Sequence, residues 1–244
     1  MSRWKAAGIH LLFSAAIAAA VLILMLAVWY PWPLFEIAGG SRLAFILAAV
    51  NFAAGPLITL LVYKQGKQGM KFDLVFIAVL QLAALAYGIH ALYLARPVYL
   101  VFTIDRFDLV TAKDLDPADL EKVTRSEFRE IGLGRARYIA AQAPQDADER
   151  LKVTMTALSG KDLQMYPQYY VPYSEEAGNA LRKAQPLDTL LARDKAATEA
   201  FLATSGRSAD SLRYLPLRGR DEDAAVLLDA ASGNPIAMLL VDPW

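Results

Sequence analysis

The chain has no cysteine among its 244 residues and only two histidines. Without thiols, disulfides, thiolate nucleophiles and cysteine-held zinc are excluded. Both histidines, His10 and His90, precede residue 96, so the C-terminal region carries neither a Ser-His-Asp triad nor an ordinary zinc site. A phosphate-binding glycine loop is also missing; Gly132-Leu133-Gly134 alone is too slight a signal. Charge is absent from three long stretches: between Lys5 and Glu36, between Arg42 and Lys64, and between Asp73 and Arg96. A spanning helix needs roughly 20 apolar residues to cross a hydrocarbon core of about 30 Å. The windows 6–30, 43–63 and 74–95 meet that length.

These windows predict an integral membrane protein: three transmembrane α-helices within residues 1–95, followed by one soluble domain over residues 96–244. Net charge is zero overall but divided. Residues 1–95 carry six cations against two acids, and residues 96–244 carry nineteen against twenty-three. The soluble part has no basic excess, which argues against nucleic acid as a partner. Arg3 and Lys5 precede the first window, and Lys64, Lys67 and Lys71 separate the second from the third; only Arg42 lies between the first and second. The positive-inside rule then puts the N-terminus in the cytoplasm. Three crossings deliver the C-terminal domain to the outer side, the periplasm of a diderm bacterium. The first apolar run is longer than the 7–15 residues of a signal-peptide core, so it reads as a retained anchor in the inner (cytoplasmic) membrane.

Trp29-Tyr30-Pro31-Trp32-Pro33 marks the outer boundary, because aromatic rings favour the headgroup layer and proline stops the helix. Gly39-Gly40 permits a tight return. Small residues recur at helical spacing in Ala15/Ala19, Ala16/Ala20 and Ala49/Ala53. Such faces let helices approach closely in lipid, either among the spans themselves or as a groove for a partner's helix. Gly55-Pro56 inside the second window predicts a kink that frees the Phe52 carbonyl. Gln81, at similar depth, needs a polar partner in lipid, and Asn51 or the loosened backbone near Phe52 is the expected one. His10 and His90 fall near opposite membrane faces and read as interfacial or packing residues.

In the soluble part, residues 98–104 and 107–112 read as strands. Asp116-Pro117 starts a helix whose stripe is Leu120, Val123, Phe128 and Ile131. Residues 135–142 read as a strand, and 146–159 as a helix with Leu151, Met155 and Leu158 inward. Ser174 is placed as the cap of a helix over 175–184, with another over about 187–204. Strands follow at 212–218, 224–230 and 236–241, the last two joined by the turn Ser232–Pro235. This mixture predicts an α+β domain with a small antiparallel sheet. Asp105, Asp108, Asp114, Asp116 and Asp119 lack calcium-loop spacing and read as caps and solvated faces. Asp105-Arg106 predicts a local ion pair or buried bracket just above the membrane. The segment Met165–Tyr173 holds Tyr166, Tyr169, Tyr170 and Tyr173 with two prolines. It is either a loop packed over the core or an aromatic contact surface.

Several blocks carry a family resemblance: Trp4-Lys5-Ala6-Ala7-Gly8-Ile9-His10, Trp29-Tyr30-Pro31 with Pro33-Leu34-Phe35, Gly39-Gly40, Gly55-Pro56-Leu57 and Lys71-Phe72-Asp73-Leu74. Gln81, Tyr87-Gly88, Ala95–Tyr99, Val101-Phe102 and Asp105-Arg106-Phe107 continue it. Together they resemble the TfpX/TfpZ (FimB-like) type IV pilin accessory family, closely over roughly residues 3–115. The resemblance implies an inner-membrane, non-enzymatic accessory factor for type IV pilus assembly. It would bind or stabilise the major pilin before polymerisation, with membrane lipids and other inner-membrane assembly proteins as further partners and no cofactor. A periplasmic ligand sensor signalling through a partner is the alternative that the layout also permits.

Overall fold

The computed structural model describes residues 2–49, 55–63 and 68–244. The chain forms two compact units. One comprises Met1–Val28 with Gly40–Ala95, the other Trp29–Gly39 with Arg96–Trp244.

The first unit is helical. Helix α1 (Arg3–Leu24) begins where the Ser2 hydroxyl accepts the Lys5 N–H, and continues through one π turn, Met25–Trp29. Helix α2 (Leu34–Ile37) belongs to the second unit; α3 (Gly40–Ala49), α4 (Gly55–Val62) and α5 (Met70–Ala95) return to the first. Among the described residues, two helices have the length and composition to cross a membrane: Trp4–Trp29 and Phe72–Ala95. This corrects the expectation of three spans. Among the described residues the 43–63 window holds α3 and α4, of ten and eight residues. At a rise of about 1.5 Å per residue each is half the thickness of the hydrocarbon core or less, which is short of a crossing. The carbonyl that a kink at Gly55-Pro56 would free, that of Phe52, lies outside the described residues.

The second unit is built on a mixed sheet. Its strands are β1 (Pro97–Phe102), β2 (Phe107–Thr111), β3 (Arg137–Ala141), β4 (Tyr170–Pro172), β5 (Gln185–Pro186), β6 (Leu212–Arg218), β7 (Ala224–Asp229) and β8 (Pro235–Leu239). The order is β4-β3-β1-β2-β6-β7-β8, with β5 beside β6. β1/β3 and β2/β6 pair in parallel and the other pairs are antiparallel. An eight-stranded mixed sheet thus replaces the small antiparallel one expected. The reason is legible in β1: Pro97-Val-Tyr-Leu-Val-Phe102 is apolar at every position and buried along its whole length. A strand covered on both faces sits centrally and takes neighbours on both edges.

The helices of this unit depart from expectation in informative ways. The stretch after Asp116 makes only the short α6 (Pro117–Leu120) and a 3₁₀ turn at Ser126–Phe128. There the Val123 carbonyl accepts the Arg129 Nε–H at 3.0 Å, a bond that replaces a helical one. Helix α7 (Ala147–Ala157) buries Val153, while Leu151, Met155 and Leu158 face outward. Helix α8 (Tyr173–Lys183) starts before Ser174, with Pro172 at its cap position and no side-chain cap. The expected helix over 187–204 divides into α9 (Leu187–Arg193) and α10 (Lys195–Ser205), because the Asp194 carboxylate takes the Ala197 N–H and starts a fresh helix.

Among the described residues, two clusters of this unit's core stand out. One gathers Tyr99, Val101, Val110, Phe128, Ile139, Tyr166 and Tyr170; the other gathers Leu187, Leu190, Leu212, Tyr214, Leu227 and Val241. In the first, Tyr99, Phe128 and Tyr170 meet edge-to-face with centroids 5.4–6.4 Å apart, and Arg137 lies 5.3 Å over Tyr99. Each such ring pair adds about 0.5–1.5 kcal/mol beyond area burial. The hairpin turn falls where expected: Gly233 has φ +73°, and the Tyr173 hydroxyl donates to its carbonyl at 2.6 Å.

Candidate functional site

Three helices of the first unit meet at a polar cluster. His10 Nδ1 lies 2.6 Å from Thr59 Oγ1, and His10 Nε2 is hydrogen-bonded to Gln81 Oε1. α1, α4 and α5 are thereby joined through polar side chains in an otherwise apolar sequence. Among the described residues Gln81 has His10 as a polar partner; the expected partners, Asn51 and the backbone near Phe52, lie outside the described residues. Helical spacing holds the signal that was missed. Ala6, His10, Ser14 and Ala18 stand four residues apart, and Ala6, Ser14 and Ala18 are buried. Of the alanines expected to pack, Ala15 is half-buried and Ala19 is exposed, so Ala19 stands off the buried face. Gly55 and Pro56 supply the first turn of α4, whose Thr59 carries the hydroxyl.

In the second unit, Asp105 and Arg106 form only a loose, exposed pair at 3.6 Å. The buried bracket lies beside them. The Asp108 carboxylate is 2% exposed, accepts from Arg106 Nε at 3.3 Å and forms an ion pair with Arg218, whose Nε lies 2.6 Å away. Burial raises its pKa, and the two guanidiniums oppose that only in part. Other acids are absorbed by the fold. Asp116 caps α6, Asp114 accepts from the Thr111 N–H and hydroxyl, and Asp119 is held between Lys122 and Lys161. Among the described residues, no group of three or more His, Asp or Glu is placed to hold a metal ion.

Tyr166, Tyr170 and Tyr173 are buried and Tyr169 is half-buried, which is the geometry of a segment packed over the core. Each hydroxyl finds a partner: Thr156 Oγ1 for Tyr166, the Gln164 carbonyl for Tyr170, the Gly233 carbonyl for Tyr173 and Glu149 for Tyr169. Exposed apolar surface lies elsewhere. Leu151, Met155 and Leu158 follow a helical i, i+4, i+7 spacing and are 60, 57 and 82% exposed. Val153 and Thr156 occupy the opposite face, where Thr156 can reach the buried Tyr166 hydroxyl at 2.7 Å. Both faces of α7 carry a periodic signal, and this polar contact favours the less apolar one.

The segment Trp29–Gly39 is part of this unit. Arg220 N–H and Asp221 N–H both donate to the Ile37 carbonyl, and the Trp29 indole N–H donates to the Leu133 carbonyl at 3.0 Å. Arg96, 1% exposed, donates to the Gly132 carbonyl at 3.2 Å. Buried Tyr30 has its hydroxyl pKa raised by burial, which nearby Arg96 and Arg220 only partly offset.

Long apolar helices joined to a mixed α+β unit with an unpartnered apolar helix face define a class: a domain carried on helices compatible with membrane anchoring. The chain belongs to the fimbrial assembly protein family. The family profile described as fimbrial assembly protein FimB matches residues 1–39. Fimbrial assembly protein, serogroup I, of Dichelobacter nodosus is 30% identical over 232 residues, covering 92% of this chain and 90% of that one. The serogroup E1 protein of the same organism aligns equally, and that of serogroups C1 and C2 is 35% identical over 46% of this chain and 86% of its own length. No solved structure matches the chain. The role in pilus assembly follows from the family.

Proposed function

We propose that the protein is a non-enzymatic assembly factor that holds the major pilin at the inner membrane before polymerisation. The observation that carries this reading is the exposed stripe Leu151–Met155–Leu158, on a domain whose family is named for fimbrial assembly. Solvated leucines at helical spacing are a contact surface in waiting. In this reading the stripe meets the globular head of the pilin subunit. The exposed side of α1, which includes Ala19, meets the pilin's apolar helix.

The localisation in this reading rests on α1. Arg3 and Lys5 hold its N-terminus in the cytoplasm, and a single crossing brings Trp29–Gly39, with the unit it belongs to, to the periplasmic side. Subunit capture there needs no catalytic group, only two surfaces that match the two parts of a membrane-held pilin.

Photo-crosslinkers placed at Leu158 and Ala19 in cells making the pilin test the proposal. Pilin adducts from both positions are expected. Absence of adducts at both, with the protein present at normal level, sinks it.

A further inference from the structure

We infer that the turn Gly132–Gly134 is a membrane-surface contact, with Leu133 seated in the headgroup layer of the bilayer. The inference rests on the membrane-anchored reading above and adds a third point of attachment to it. Two hydrogen bonds carry it. The two long apolar helices end at Trp29 and at Ala95, and the side chains of Trp29 and Arg96 donate to adjacent carbonyls of one turn. Trp29 takes the Leu133 carbonyl and Arg96 the Gly132 carbonyl. The turn is therefore within one side chain's reach of both places where the chain leaves an apolar helix.

The chemistry of its tip fits that position. Leu133 is 64% exposed between two exposed glycines, and Ile131 behind it packs against the core. Trp32, three residues beyond Trp29, is 70% exposed. A bare leucine whose carbonyl holds the half-bare Trp29 indole is costly in water and suits the amphipathic zone, where Trp prefers to lie. The glycines have open space around them, so nothing in the fold demands their smallness. The proposed occupant is lipid, because the covalent connection at Trp29 keeps the tip close to the bilayer whenever α1 is in it.

The absence of cysteine makes the test direct. Single-cysteine variants Leu133→Cys, Leu158→Cys and Ile17→Cys of the full chain are labelled with an environment-sensitive fluorophore. Each is reconstituted alone in phosphatidylethanolamine/phosphatidylglycerol vesicles containing spin-labelled lipid. The label at 133 should lose emission to quencher near the headgroup, and the label at 158 should not. The label at 17 should be quenched from the acyl chains. If 133 stays unquenched while 17 is quenched, the inference falls and the anchoring stands; the tip is then left for a protein partner. If 17 also stays unquenched, the anchoring reading falls too. Equal quenching at 133 and 158 likewise overturns the assignment, since the whole domain would then lie on the surface.

Discussion

The backbone N–H of Arg220 donates to the carbonyl of Ile37 at 2.9 Å, across 183 positions of the chain. Two remote segments of one unit are thereby locked together, and the lock depends on a residue with no side chain. A Cβ at Gly219 would stand 1.8 Å from the Glu222 carbonyl oxygen and 2.8 Å from that of Ile37. Backbone atoms cannot step aside as a flexible side chain can. Gly219→Ala should therefore destabilise the second unit by about 1–3 kcal/mol or more. It should also open Trp29–Gly39 to protease. Thermal unfolding and mapped cleavage sites check both effects, and wild-type resistance in the variant would refute the lock.

Asp119 should make stability depend on pH in the acid range. Burial alone would raise its carboxyl, but hydrogen bonds and charges from Lys122 and Lys161 override this and hold it below the ordinary carboxylate value. A depressed folded pKa stabilises the fold above the unfolded value of about 4, and the benefit is lost as pH falls through the lower folded value. Asp119→Asn should cost about 1–3 kcal/mol at neutral pH. The gap to wild type should close as pH falls below the ordinary carboxylate value and on through the lower folded one. Chemical denaturation across that range reads the outcome, and a gap independent of pH would contradict the assignment.

The polar cluster of the first unit should behave as one network. Gln81→Leu strips His10 Nε2 of its acceptor, and Thr59→Val removes the partner of Nδ1. Hydrogen bonds between helices in lipid average about 0.6 kcal/mol and reach about 1.7. Each single change should fall in that range, and His10→Leu should cost no more when combined with Gln81→Leu than it costs alone. A double-mutant cycle on unfolding in mixed micelles measures the coupling. Full additivity would mean the three side chains do not act together.

Much of this architecture is legible in the sequence where local chemistry decides. β1, β2, β6 and β7 are apolar runs bounded by turn residues, and Ser232–Pro235 names its own hairpin. What escapes is decided at a distance. β4 and β5, of three and two residues, have no pattern of their own and exist through their pairing with β3 and β6. Gln81 announces that it needs a partner but not which one, because His10 is 71 positions away. The tyrosines of Tyr166–Tyr173 read equally as a packed segment or a contact surface until the hydroxyls of Tyr166, Tyr170 and Tyr173 are seen to bond within the fold.

The orientation of α7 is the sharpest of these cases and yields the most direct functional prediction. The most apolar stripe, Leu151–Met155–Leu158, faces water, and the mixed stripe through Val153 and Thr156 faces the core. A protein that leaves its better hydrophobic face unburied loses stability unless something else covers that face. Leu151→Glu and Leu158→Glu together should therefore leave unfolding within about 0.5 kcal/mol of wild type per site, as surface changes do. They should nevertheless lower the number of surface pili. Val153→Asp supplies the contrast, since it buries a charge and should unfold the domain. Pilus counts by electron microscopy, alongside protein level in the membrane fraction, separate the cases. Normal piliation in the double variant would show that the stripe is not the face that meets the subunit.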